Sequence, residues 1–187
     1  MTASTPAAHA APTPDESGFR SWMAVRGPVL RRKAYLMTGD WYAADDLAQD
    51  VLVAVYSRWS RVARGSNVDA YANRVLVGKY VDAARRPWRR ETTVASQPDR
   101  PDATAEAALD AVESSDSRLL TALAGLSPEH RAVVVLRFAD DLSVDEIART
   151  LDIPAGTVKS RLSRALDALR TALGPGVTTP ADLEDPS

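Results

Sequence analysis

Apolar residues recur at three- and four-residue spacing through two stretches of the chain, about 17–90 and 113–174, and this period predicts helices that pack by one face. Ala44, Leu47, Ala48, Val51, Leu52, Val55 and Trp59 form one such stripe. A second, Ala72, Val75, Leu76, Tyr80, Ala83 and Ala84, follows Asp69, a suitable N-cap. It stops before Arg86-Pro87, because proline disfavours helix in its predecessor. Val133–Val135 has the β-branched character of a strand. Ser127-Pro128 just before it supplies an N-cap and a first-turn proline, so a helix is predicted there instead. No segment joins period-two alternation to a hairpin turn, and no sheet is expected. The fold class that follows is all-α: two small helical domains joined by a flexible acidic linker, the second a helix-turn-helix.

Between the two stretches the composition changes. Residues 91–112 contain Pro98 and Pro101, and Glu91, Asp99, Asp102, Glu106, Asp110 and the adjoining Glu113 face a single Arg100. This reads as a linker, flexible at first and able to become helical from Ala103. Residues 1–16, rich in Ala, Thr and Pro, read as a disordered leader, with neither the basic start nor the apolar core of a secretory signal. Residues 175–187, with three prolines and no apolar period, read as a disordered tail.

Composition narrows the function classes. The 187 residues are 45% hydrophobic and 26% charged, the balance of a globular chain. The longest apolar runs, Val51–Tyr56 and Ala132–Leu136, fall far short of the ~20 residues that span a bilayer, so no membrane insertion is expected. The absence of cysteine removes disulfides, thiolate metal sites and cysteine nucleophiles together. His9 lies in the leader and His130 suits a capping or surface place on its helix, so no catalytic or metal-binding histidine stands out. No enzyme activity and no cofactor are expected.

Net charge is only −2, but charge is partitioned. From Arg58 to Arg90 there are nine basic residues against two acidic ones, Asp69 and Asp82. The block ends in Arg85-Arg86-Pro87-Trp88-Arg89-Arg90, an aromatic ring among guanidinium groups that pair with phosphates and stack on bases. A solvated helix end favoured by the helix dipole is the simpler account of the same residues.

The sharpest local pattern runs from Leu142 to Ala165. Ser143 and Glu146 make a capping box for one helix, whose buried face is Ile147, Ala148 and Leu151. Asp152–Pro154 break it, and a second helix turns Val158, Leu162 and Ala165 inward. Thr157, Lys159, Ser160, Arg161, Ser163 and Arg164 are left outward or on its flanks, where they suit a helix entering the major groove. The first helix is acidic and the second basic, which would orient the pair on DNA. The same pattern also serves packing modules that touch no DNA.

In the first stretch, Asp46 and Asp50 stand four apart, with Asp45 and Gln49 on the adjoining row. These carboxylates lie beside the apolar stripe and can meet a basic partner. A catalytic pair or a divalent-metal site is the rival reading, but no nucleophile, histidine or glycine loop accompanies them. A favourable acidic first turn is the plainest one.

Taken together, Leu126-Ser127-Pro128-Glu129-His130-Arg131 through Gly156-Thr157-Val158-Lys159-Ser160-Arg161-Leu162-Ser163-Arg164-Ala165, and Tyr42-Ala43-Ala44-Asp45-Asp46-Leu47-Ala48-Gln49-Asp50-Val51 with the Arg74–Arg86 helix, resemble an RNA polymerase sigma factor of the sigma-70 type. The similarity is to the compact extracytoplasmic-function group that retains regions two and four, and the wording is most similar to its actinobacterial SigE-like subgroup. The resemblance implies core RNA polymerase as partner, its largest-subunit clamp coiled coil meeting Asp45, Asp46, Gln49 and Asp50. It implies contact of Arg64, Ser66, Asn67, Arg74, Lys79, Asp82, Arg85 and Arg86 with the minus-10 element, melted by taking a base out of the stack. Arg61–Val68, containing Gly65-Ser66-Asn67, is the expected pocket loop, and Tyr71 and Tyr80 are expected to help fill the core. Thr157, Lys159, Ser160, Arg161, Ser163 and Arg164 would read double-stranded minus-35 DNA. An anti-sigma factor is a further implied partner, and a cytoplasmic, nucleoid-associated location follows.

Two positions depart from the family pattern. Gly78 stands where an asparagine is usual, and Asp152 where the turn usually has glycine; aspartate tolerates left-handed backbone, so the turn is expected to survive. Two other functions fit parts of the pattern. A single-site helix-turn-helix regulator would need no polymerase, and a non-DNA helical adaptor would keep its function without Arg161 and Arg164.

Overall fold

The computed structural model describes residues 14–65, 67–85 and 109–174. Among them there are eight helices and no strand, in agreement with the all-α expectation. The first domain comprises α1 (Pro14–Thr38), α2 (Trp41–Tyr56), α3 (Trp59–Gly65) and α4 (Val68–Arg85). The second comprises α5 (Leu109–Ala124), α6 (Pro128–Ala139), α7 (Val144–Leu151) and α8 (Ala155–Leu173). Helix α1 takes in the last three residues assigned to the leader, beginning on Pro14, whose fixed φ and missing N–H suit a first helical turn.

The predicted stripe of α2 buries Ala44, Leu47, Ala48, Val51 and Val55, but the helix does not reach Trp59. It ends at Tyr56, and the Ser57 amide closes the last turn on the Val53 carbonyl. Trp59 opens α3, so most of the expected pocket loop, Arg61–Gly65, is helix instead. The α3 indole lies beside α1, where Phe19 and Trp22 meet it with ring centroids 5.5 and 5.9 Å away, and Phe19 also meets Tyr56 of α2 at 4.9 Å. The N-cap of α4 is Asn67, not Asp69: the Asn67 Oδ1 accepts from the amides of Asp69 (3.0 Å) and Ala70 (3.3 Å). Asp69 instead accepts from the Trp22 indole (2.9 Å) and the Arg26 guanidinium (2.5 Å) of α1. Tyr71 and Tyr80 are half-buried and packed on the core, as expected.

In the second domain Ser127 caps α6 with Pro128 at its first position, and Val133–Val135 are buried helical residues. The Ser143–Glu146 capping box of α7 is complete in both directions. On α7 only Ile147 of the three expected residues is fully buried; Ala148 and Leu151 are half-buried, and Thr150 turns inward with Ile147. Asp152 takes the left-handed conformation, φ 57 and ψ 50, and ends α7 with a bend that glycine would also allow. Val158, Leu162 and Ala165 of α8 are buried as expected, joined by Leu169 one turn on.

The two domains touch. Helices α1 and α4 of the first lie against α5, α6 and α7 of the second. The seam holds charged groups. Lys33 of α1, 4% exposed, donates to Asn73 of α4 (2.5 Å) and to Asp140 at the end of α6 (2.7 Å), and Asn73 also donates to Asp140 (2.7 Å). From the other side, the buried Arg131 of α6 donates to the Met37 carbonyl in the last turn of α1 (2.6 Å), leaving its own Nε without a partner.

Candidate polymerase and nucleic-acid interfaces

Two surfaces and one helix face carry the residues expected to function. On α2, Asp45, Asp46, Gln49 and Asp50 are all exposed, on the side opposite the buried stripe. Two of the four already have partners within the chain. The Arg31 guanidinium pairs with Asp45 and lies 4.3 Å over the Trp41 ring, which in turn stacks on Tyr35 at 3.9 Å. The hydrogen bond from Arg31 holds the Asp45 carboxyl below its ordinary range, and Asp45 raises Arg31 in return. Asp50 accepts from Lys79 of α4 at 3.0 Å. Asp46 and Gln49 share the outer row with Tyr42, Val53 and Tyr56, which are 76%, 61% and 52% exposed. Positions 42, 46, 49, 53 and 56 keep the three- and four-residue spacing of one helix face. The result is a mixed acidic and apolar ridge. Sequence reasoning named its acids but missed Tyr42 and Val53. Their signal was legible, since both lie off the buried stripe and had no core to fill.

The residues expected at minus-10 DNA do not form one cluster. Arg64 is exposed on α3 and donates to the Ser60 carbonyl of its own helix (2.6 Å). Asn67 spends its side-chain oxygen on capping α4, and Lys79 turns toward Asp50 on α2. Arg74, Asp82 and Arg85 are exposed on α4. Arg74 pairs with Asp152 of the α7–α8 turn (3.1 Å), and Arg85 with Glu129 of α6 (3.0 Å). Ser66 and Arg86, with Trp88, lie outside the described residues, as does the acidic linker through residue 108.

Helix α8 presents the third set. Lys159, Ser160, Ser163 and Arg164 are exposed and Thr157 and Arg161 half-buried, opposite the buried Val158, Leu162 and Ala165. No side chain caps its N-terminus, which follows Pro154; the Thr157 and Val158 amides turn back to the Pro154 carbonyl at 2.9 and 3.2 Å. The Glu129 carboxyl lies near Arg161 as well as Arg85. Burial raises it, but hydrogen bonds from Arg85 and from its own backbone amide, with the Arg85 and Arg161 charges, outweigh that and leave it lowered. Among the described residues no group of three or more His, Asp or Glu is arranged to hold a metal ion, and no helix is long and apolar enough to cross a membrane.

A helical domain with an exposed acidic ridge, followed by a helix-turn-helix with a basic second helix, is the architecture of a bacterial transcription-initiation factor, and sequence comparison gives the same family. The description "Sigma-70 region 2" matches residues 23–90 and "Sigma-70, region 4" residues 116–169. The chain is 36% identical over 159 residues to an RNA polymerase sigma-E factor of Streptomyces avermitilis, covering 83% of this chain and 84% of that protein. It is 25% identical over 170 residues to the ECF RNA polymerase sigma factor SigW of Bacillus subtilis, covering 85% and 90%. Among solved structures it resembles the sigma factor RpoE of Bartonella quintana, crystallised with the anti-sigma factor NepR, with a TM-score of 0.66, 25% identity, and coverage of 84% of this chain and 97% of that one. The chain belongs to the sigma-70 family, in its extracytoplasmic-function group.

Proposed function

We propose that the chain binds core RNA polymerase and directs it to promoters, with residues 17–90 acting as region two, 113–174 as region four and 91–112 as the link between them. The observation that carries this is the pairing, in one chain, of the exposed acidic ridge of α2 with the exposed basic face of α8. On this reading Asp46, Gln49, Asp45 and Asp50, with Tyr42 and Val53, meet the clamp coiled coil of the polymerase largest subunit. Basic groups on the partner displace Arg31 and Lys79 from Asp45 and Asp50, so these carboxylates enter the complex preformed and desolvate little. Arg64, Ser66, Asn67, Arg74, Lys79, Asp82, Arg85 and Arg86 serve the minus-10 element and its melted strand. Thr157, Lys159, Ser160, Arg161, Ser163 and Arg164 serve minus-35 duplex, with α8 in the major groove.

The chain itself performs no bond chemistry in this scheme; phosphodiester formation belongs to the polymerase. Holding two weak half-sites at fixed spacing requires polymerase, since neither half-site alone binds tightly. A protein that acts on chromosomal DNA would sit in the cytoplasm with the nucleoid, and an anti-sigma factor is a fitting antagonist. The test is transcription of a genomic DNA library by core polymerase with and without the protein. New starts that share two upstream elements at constant separation are expected. A folded protein that yields none would shift the function to a single-site regulator.

A further inference from the structure

An open groove of about 470 Å³ runs between α1, α5, α6 and α8, and none of the residues assigned above to polymerase or DNA lines it. Helix α8 contributes Leu166, Leu169 and Leu173, one row of that helix. Leu119 of α5 and Phe138 of α6 also line it and are 38% and 43% exposed, more apolar surface than isolated side chains leave open to water. No carboxylate lines the groove, and two cations do. Lys33 is committed to Asn73 and Asp140, whereas the exposed Arg32 has no ion-pair partner among the described residues.

The chain leaves α8 on this same face. Leu173 is the last helical residue, and Arg118 of α5, next to Leu119, donates to its carbonyl at 3.1 Å. Gly174 then takes φ 80 and ψ 177, a conformation closed to residues with a Cβ, and turns the chain out of the helix. Residues 175–187 follow. Their sequence carries Asp182, Glu184 and Asp185 with no basic residue, and Val177 and Leu183 are the large apolar side chains. Pro175, Pro180 and Pro186 disfavour a further helix. The α8 row from Leu173 back to Leu166 is about 10 Å long. From Gly174 to Leu183 the backbone reaches up to about 30 Å, so Leu183 can return along the groove with slack.

We propose that residues 175–187 are the occupant of this groove: the segment doubles back beside α8, Val177 and Leu183 take the apolar space, and Asp182 and Glu184 meet Arg32. Tethering lets a weak contact suffice, because a short link holds the segment at an effective concentration of about millimolar. The acid–Arg32 contact is exposed and screened by salt, so it sets the register of the segment while the two apolar side chains supply most of the attraction. A protein that seeks the same groove therefore has to displace a competitor built into the chain. The inference stands apart from the sigma-factor reading, since it needs neither polymerase nor DNA.

The chain has no cysteine, so Ser187→Cys gives a single attachment point for a nitroxide on the full chain. The label should broaden the methyl resonances of Leu119, Leu166 and Leu169 in the groove and spare those of Val51 and Val55 in the core of α2. Val177→Asp/Leu183→Asp should weaken docking about tenfold. That loss is read as disappearance of the broadening and, without the label, as a shift of the same groove methyls. Arg32→Glu should weaken docking about two- to fivefold, and adding Asp182→Lys/Glu184→Lys to it should restore the wild-type spectrum. Far-UV circular dichroism of each variant should match the wild type, because none replaces a side chain of the packed core. Broadening that survives Val177→Asp/Leu183→Asp overturns the proposal. So does broadening seen only when label and observed methyls are on different molecules, which assigns the groove to a second copy. Groove methyls that ignore every substitution in 175–187 and move only when core polymerase is added overturn it as well.

Discussion

Ile147 is fully buried between α7 and α8 and, with Val158 and Leu162, sets the angle at which the second helix leaves the turn. Replacing it with alanine removes three carbons from a site with no exposed surface, and α7 is only eight residues long, too short to re-form without its packing. The expected loss is about 2–5 kcal/mol, against about 0.5–1.5 kcal/mol for Ile147→Val. With a urea slope of about 1–1.5 kcal/mol/M for a domain of this size, the alanine variant should lower the midpoint by about 1.3–5 M. The placement of aromatic residues gives an unusually clean assay. All four tryptophans, Trp22, Trp41, Trp59 and Trp88, lie in the first half of the chain. Far-UV circular dichroism follows both domains, whereas tryptophan fluorescence follows the first. The early part of the dichroism transition should move with Ile147→Ala while the fluorescence midpoint moves by less than the seam is worth. A dichroism curve unchanged from wild type would refute the packing described for α7 and α8.

Three further outcomes follow from individual residues. Gly78 is exposed in the interior of α4, and a Cβ there would meet nothing within 4 Å, so Gly78→Ala should stabilise the first domain by about 0.5–1 kcal/mol in a urea titration followed by tryptophan fluorescence. Ser143→Ala removes the hydroxyl that accepts from the Glu146 amide and donates to its carboxylate, while the backbone half of the capping box stays, and should cost about 1 kcal/mol by circular dichroism. Hydrogen bonds from the Ser143 amide and then its hydroxyl lower the Glu146 carboxyl; the hydroxyl's share of this is present above the ordinary glutamate range and lost as pH falls through the lowered value, so the gap between the wild type and the variant should narrow, without closing, at acid pH. Asp46→Lys, on an exposed acid without an ion-pair partner among the described residues, should weaken binding to core polymerase at least tenfold in a competition assay while leaving the melting curve unchanged within about 0.5 kcal/mol.

What the sequence revealed depended on how local the deciding interaction was. The α7–α8 unit was readable almost residue by residue, because a capping box, a bend and two apolar stripes are all set within a few positions. Even Asp152 in its left-handed conformation followed from the tolerance of short polar side chains for that geometry. The Ala44–Trp59 stripe misled because periodicity continues across a helix end: Ser57 closes α2 and Trp59, though in register, belongs to a new helix that packs on Phe19 and Trp22. Asp69 looked like a cap and is instead a tertiary acceptor for Trp22 and Arg26, a partnership 43 to 47 residues distant that no local rule encodes. The same holds for the candidate site. Residue types and their helices were legible, but that Lys79 would turn to Asp50, and Arg74 and Arg85 to Asp152 and Glu129, depended on the meeting of whole domains.

The aromatic group around Trp59 bears on where the first domain begins. Phe19 and Trp22 precede residue 23, the start of the region-two match, yet Phe19 is buried and Trp22 anchors Asp69 at the head of α4. A fragment trimmed to the family's border would leave Trp59 and Tyr56 without the rings they rest on. It would also leave the first turn of α4 without its tether. The extra turns of α1 are thus part of the domain's working volume, and relatives that share the core but differ upstream of residue 23 would need another way to shelter the same indole.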